Sequence, residues 1–260
     1  MKILQFDSKS IFGIDGSGNQ IKKWYDRSHL IKLNSKYREA SKEVDAYRLG
    51  TAMGLYCAKY SEITVLYRGA ERKACVSESY MLPDEVEITA FEILEEFNID
   101  IPQNMSAVQF IDLLVNAVVS YTGFDIEVVY TWVYDMLVFD YIIGNDDRHL
   151  TNFEVLVTTQ KGTCRFAPYF DHGAGFFRTD ASLSLVEYKR LFYKFKSKPF
   201  STNPDKNIGD YARAKVSFLR MLNTVGGVEG IKTLGMNQGH LLTVLRQISR
   251  LSEKLNIVLS

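Results

Sequence analysis

Cysteine is scarce and scattered in this chain. Only Cys57, Cys75 and Cys164 occur among 260 residues, with no Cys-x-x-Cys pair. An odd, dispersed set supplies no disulfide framework. The four histidines, His29, His149, His172 and His240, are not spaced as zinc ligands. Reduced thiols in a cytoplasmic-type compartment are the simplest expectation. A charge excess is lacking too, because 31 Lys and Arg face 31 Asp and Glu. No overall field drives the chain onto nucleic acid or an anionic membrane, so no direct nucleic-acid partner is expected.

Uninterrupted hydrophobic runs are missing as well. The most apolar stretch, residues 126–143, carries Glu127, Asp135 and Asp140. A carboxylate at mid-bilayer costs about 2.5–3.5 kcal/mol on insertion scales, which argues for a buried helix and no membrane span. Met1 to Phe6 lacks the apolar core and cleavage site of a signal peptide. What remains is an ordinary globular composition, 46% apolar and 24% charged.

Residues 1–80 read as short strands around one helix. Apolar runs at 3–6, 21–25, 29–33, 63–66 and 74–77 are separated by turn chemistry such as Asp15 to Asn19. Ser35 to Met53 has the period of an amphipathic helix. Beyond Pro83, the stretches 87–97, 105–121 and 125–143 read as helices, the last capped by Asp125. A hairpin is expected at 152–158 and 164–166, and a final helix at 237–259. The expected fold class is α+β: a β-rich N-terminal lobe over residues 1–80 and a mainly helical C-terminal lobe over 81–260.

Chemistry concentrates after the apolar helix. Asp140, Asn145, Asp146, Asp147, Arg148, His149 and Asn152 fall within thirteen residues. A helix without a polar face is buried, so its C-terminal end delivers these groups near the core. Clustered carboxylates there are costly unless a cation or a proton-transfer task offsets them. With a strand expected to start at Asn152, the intervening turn sets Asp147 toward a substrate hydroxyl and Asn152 toward a metal. Asp171 follows, on Phe170 and two residues before Gly173, as a hard-cation ligand on a turn. Alone, an Asp-Arg-His run reads as a surface ion pair and a Phe-Asp-x-Gly run as a turn. In this order, around a hairpin, the pair suits phosphoryl transfer.

These two segments, Asn145 to Asn152 and Ala167 to Asp171, resemble the catalytic and metal-binding segments of the HipA-like serine/threonine kinases. The resemblance implies a two-lobed protein-kinase-like fold and an ATP- and Mg2+-dependent phosphotransferase. It implies Asp147 as catalytic base, Asn152 and Asp171 as magnesium ligands, and His149 as a brace for the loop or an aid with charge. Lys32, amid the apolar run 29–33, is similar to the family's phosphate-holding lysine. An edge-strand lysine reaching to solvent is the alternative. Glu43 matches the orienting glutamate, with Glu39 a competing partner one turn away. Gly16, Ser17 and Gly18 stand where a phosphate-covering loop is expected, although Ile21 replaces the third glycine and an ordinary hairpin turn fits equally. Glu78, Ser79 and Tyr80 match the hinge that meets adenine, and Ser17 is a site for autophosphorylation.

The implied partner is a protein bearing a Ser or Thr hydroxyl. A lipid or small-alcohol kinase and a non-catalytic binding module remain open alternatives. The chain is shorter than full-length HipA toxins and similar to compact stand-alone members, one of them secreted, which adds secretion as an effector to the expected locations. A regulatory partner protein is left open. Residues 188–200 interleave aromatics with cations, as a solvated edge or loop or as a face for an acidic protein or RNA.

Overall fold

Alternation in His29–Leu33 decides the first wall of the molecule. In the computed structural model, which describes residues 4–5, 21–26, 28–35, 38–102 and 104–259, this strand points Ile31 and Leu33 to one face. There they pack with Val65 and Ala74. Lys32 points to the other, beside Tyr60 and Cys75. The surrounding sheet runs β1 (Leu4–Gln5), β4 (Tyr60–Tyr67), β5 (Ala70–Glu78), β3 (His29–Leu33) and β2 (Lys22–Trp24), in that spatial order. Among the described residues of this sheet, only the β1–β4 pair is parallel.

Helix α1 (Glu39–Ala52) packs on the Lys32 face of this sheet. It starts later than its periodicity suggests. The Asn34 side chain accepts the amide of Ala40, and Glu39 accepts from both the Ser35 amide and hydroxyl, so residues 34 and 35 serve as the approach to the helix.

Beyond the sheet the chain is mainly helical. Residues 87–89 are a correction to the sequence reading: they belong to β6 (Glu85–Thr89), and α2 (Ala90–Glu96) begins only at Ala90. Thr89 and Glu92 form a reciprocal capping box that fixes this start. Next come α3 (Ala107–Thr122) and α4 (Ile126–Ile143), the latter capped by Asp125. Strands β7 (Glu154–Thr158) and β8 (Cys164–Phe166) join β6 in a second, antiparallel sheet. The expected start of β7 at Asn152 is also corrected, because Leu150–Asn152 forms a 3-10 turn and the strand opens at Glu154.

The stretch 188–200 is helical at its start. Helix α5 (Leu185–Lys194) has a Ser184–Glu187 capping box, which set its beginning outside the span read as an edge or loop. The chain finishes with α6 (Pro204–Asn207), α7 (Tyr211–Val225), α8 (Gly227–Lys232) and α9 (Gln238–Lys254). The expected final helix thus stops short of residue 259.

Helix α4 is the axis of the helical lobe, with α3, α7 and α9 packed against it. Every residue from Trp132 to Ile143 is buried. Gly144 then adopts a left-handed conformation, and its ideal Cβ would stand only 3.0 Å from the Phe177 ring. Glycine ends the helix here for both reasons. No helix among the described residues is long and apolar enough to cross a membrane.

Candidate functional site

The end of α4 launches a loop held by one buried guanidinium. Arg148 donates from Nε to Asp140 Oδ2 at 2.7 Å and from Nη2 to Asp140 Oδ1 at 3.0 Å. Its remaining arm donates to the Phe170 carbonyl at 2.7 Å. Asn145 adds a bond to Asp140 at 2.8 Å, and its own oxygen accepts the Asp147 amide at 3.2 Å. Sequence reasoning placed Asp140, Asn145 and Arg148 in the constellation without roles. Their burial shows that they are its frame.

On this frame Asp147 stands half exposed. His149 Nε2 lies 3.0 Å from its Oδ1, and Lys198 Nζ donates to the same oxygen at 2.9 Å. Arg178 approaches Oδ2 at 3.6 Å while pairing with Asp146. Burial would raise the Asp147 carboxyl, but Lys198 and then His149 outweigh it and hold the group below its ordinary value. Lys198 had no signal beyond its place in a cation-rich run, because 51 residues separate it from Asp147.

Lys32 is buried on the facing wall. Its ammonium donates to Glu43 Oε1 at 2.5 Å and to Asp171 Oδ1 at 3.0 Å, with the Tyr60 hydroxyl at 3.3 Å. Burial pulls the Lys32 pKa down, but Asp171 and Glu43 more than compensate and leave it well above the ordinary lysine value. Lys32 in turn is the main cause that holds the Asp171 carboxyl below the usual range. Glu39 is tied to Ser35, so Glu43 is the residue that meets Lys32. The second oxygen of Glu43 accepts the His172 amide at 2.9 Å, joining α1 directly to the Asp171 turn.

That turn is tight. Asp171 has a φ of 60°, in the left-handed region, where Asp is tolerated at modest cost. Gly173 passes so close to α1 that an ideal Cβ would sit 3.1 Å from Glu39 Cβ. Asn152 Nδ2 donates to Asp171 Oδ2 at 3.3 Å, and Asn152 Oδ1 accepts the His149 amide at 3.1 Å.

A cleft of about 520 Å³ opens between these walls. Lys32, Asp147, His149, Asn152 and Asp171 line one end, and Glu78, Ser79 and Tyr80 line the other. Gly16, Ser17 and Gly18 lie outside the described residues. Trp24, Leu30 and Phe170 also line the cleft, together with the carboxylates Glu78, Glu87 and Glu154, and Tyr80 stacks on Phe170 at 6.0 Å. Arg165 steadies the Tyr80 end by donating to the Tyr80 carbonyl at 2.7 Å and to both oxygens of Glu85. The Ser79 amide is committed to the Ser28 carbonyl at 2.6 Å. Lys22 and Glu154 are among the cleft residues that escaped sequence reasoning. Lys22 emerges from β2, and Glu154 accepts a bond from the Tyr80 hydroxyl at 2.9 Å. Neither sits in a recognisable motif.

A five-stranded lobe with one braced lysine, set across a cleft from a helical lobe, defines a two-lobed protein-kinase-like fold. In particular it is the fold of the HipA-like kinases. The chain superposes on the crystal structure of the Helicobacter pylori proinflammatory kinase CtkA with a TM-score of 0.65 at 14% identity, covering 98% of this chain and 96% of that one. HipA of Shewanella oneidensis MR-1, solved with HipB and operator DNA, gives a TM-score of 0.51 at 12% identity. That match covers 96% of this chain and 66% of the HipA chain. No family model matches the sequence, and no curated protein matches it.

Proposed function

We propose that this chain is an ATP-dependent serine/threonine protein kinase, with residues 1–80 as nucleotide-binding lobe and 81–260 as catalytic lobe. One observation carries the reading: a buried lysine braced by Glu43 from α1 and bonded to Asp171, in a cleft that also holds Asp147. Lys22 supports it. This residue faces Lys32 directly in the β2–β3 register, lines the cleft and makes no ion pair among the described residues. Its charge adds to that of Lys32 in drawing down the Asp171 carboxyl, and an entering polyphosphate would meet both ammonium groups.

In this reading Lys32 holds the α- and β-phosphates and Glu43 orients it. Glu78, Ser79 and Tyr80 border the base, while Gly16, Ser17 and Gly18 cover the phosphates. Asp147 receives the proton of the acceptor hydroxyl as the oxygen attacks the γ-phosphorus. His149 braces the base through its contact with Asp147.

The donor set near Asp171 fits magnesium. Asp171 and Asn152 carry hard oxygen atoms on adjacent side chains. No group of three or more His, Cys, Asp or Glu suited to a metal occurs among the described residues. Nucleotide phosphates would complete the shell, as is common for magnesium. Bound there, the ion would neutralise charge on the phosphates.

Calorimetric titration with ATP and Mg2+, followed by transfer of labelled γ-phosphate to dephosphorylated casein or to the chain itself, tests the reading. Binding and label incorporation are expected. A protein that binds neither ATP nor Mg·ATP overturns it.

A further inference from the structure

We propose that Lys198 is a catalytic residue of the phosphoryl transfer, holding Asp147 in the resting enzyme and engaging the transferring phosphoryl group during turnover. The proposal rests on the kinase reading above and adds a residue to it.

Lys198 lies between α5 and α6, in a segment without regular structure, yet its backbone is clamped. The buried side chain of Asn207 donates to the Lys198 carbonyl at 2.8 Å. The Asn207 oxygen accepts the amides of Phe200 and Ser201 at 3.0 and 2.9 Å. Phe200 is itself anchored, edge-on to the rings of Phe110 and Phe153. This clamp aims one lysine of the run inward. Lys194 and Lys196 are exposed and make no ion pair among the described residues, whereas Lys198 reaches both Asp147 at 2.9 Å and His149 Nε2 at 3.1 Å.

Other permanent cations around the base have different commitments. Arg148 is locked into Asp140 and the Phe170 carbonyl, and Arg178 pairs with Asp146. Lys32 serves Glu43 and Asp171 on the opposite wall. Lys198 is the lysine bonded directly to Asp147, a residue that lines the cleft, and its side chain is 41% exposed.

The chemistry follows the charge. The acceptor oxygen forms a bond to the γ-phosphorus, and the bond from that phosphorus to the bridging oxygen breaks, with ADP taking the electron pair. The hydroxyl proton passes to Asp147. Once protonated, Asp147 no longer attracts an ammonium, while negative charge is spread over the three equatorial phosphoryl oxygens. Lys198 keeps its own protons and shifts one hydrogen bond from the carboxylate to a phosphoryl oxygen. A cation aimed where charge develops lowers the barrier more than it tightens ground-state binding.

The test compares wild type with Lys198→Met, Lys198→Arg and, as a control, Lys196→Met at an exposed neighbour. ADP release from Mg·ATP is followed with and without dephosphorylated casein, alongside calorimetric ATP affinity and thermal unfolding. Lys198→Met is expected to lower kcat by about 10²–10³-fold, with ATP affinity and unfolding midpoint close to wild type. Lys198→Arg should recover most of the loss, and Lys196→Met should match wild type. Equal turnover in wild type and Lys198→Met overturns the proposal while leaving the kinase reading intact. So does a loss of ATP affinity in Lys198→Met that accounts for the whole activity change. A wild-type protein that neither binds ATP nor releases ADP overturns the kinase reading itself.

Discussion

Arg148 and Asp140 form a bidentate ion pair that is almost completely buried, with side-chain exposures of 0% and 4%. Through its bond to the Phe170 carbonyl, the same guanidinium ties the Asp147 loop to the segment bearing Asp171. One side chain therefore fixes the relation between the proposed base and the proposed metal ligand. Arginine suits this task because its planar fork meets a carboxylate with two parallel bonds and keeps its charge when buried.

Arg148→Met should destabilise the protein by about 3–5 kcal/mol, because Asp140 is left as a buried charge without its partner. The double variant Asp140→Leu with Arg148→Met should lose less than the two single losses added together. Urea unfolding of the four proteins measures this directly. Strict additivity would mean that the two residues do not act as a pair.

For Asp147→Asn the expected result is a fall in phosphoryl transfer of about 10²–10⁴-fold, the usual contribution of a general base. ATP affinity should stay within a few-fold, since no bond from Asp147 reaches the Lys32 wall. Label transfer and calorimetry together separate the two effects. A fully active variant removes Asp147 from the mechanism.

Lys32→Met and Glu43→Gln should each slow turnover, and the double variant should be little worse than Lys32→Met alone. The two residues act as one unit, since Glu43 matters to phosphate through the ammonium it orients. The check is kcat/KM for ATP across the cycle. Multiplying losses would separate the roles of the two residues.

Asp171→Asn removes the stronger of two proposed magnesium donors. Mg2+ should then no longer tighten ATP binding, while ATP without metal binds at least as well as before. Titrations with and without EDTA read the difference. Unchanged metal dependence would place the ion elsewhere.

Stability should carry a pH signature from Glu154. Burial first, then the nearby Glu87 carboxylate, push its carboxyl up to about 8 from an ordinary 4.5. Between those values the folded chain retains a proton that the unfolded chain releases. Stability from this site is complete below the unfolded value and is lost as pH rises through about 8. Glu154→Gln should flatten the dependence across that window and gain relative stability on the alkaline side. Denaturant titrations at acidic, neutral and alkaline pH test it, and parallel curves for the two proteins would show that Glu154 is already ionised.

The local part of this molecule could be read from its residues. A short apolar run bounded by turn chemistry located His29–Leu33, and a nearly all-apolar run opened by Asp125 located α4. Both signals depend on neighbours only a few positions apart. The errors were local competitions settled elsewhere in the chain. Residues 87–89 look helical beside Ile93 and Leu94, yet pairing with β7 makes them a strand and defers the helix to the Thr89 cap.

What tertiary structure decided was partnership. Asp140 looked like one acid among several until Arg148 closed on it, and Lys198 looked like any solvated lysine until the fold held its carbonyl on Asn207 and its ammonium on Asp147. Glu154 and Glu87 share a floor only because two distant strands pair. Sequence by itself determined which residues could carry charge, bend the chain or bury a face. Which charges meet depends on long-range packing, because Coulomb attraction and desolvation act through distances that residue order does not encode.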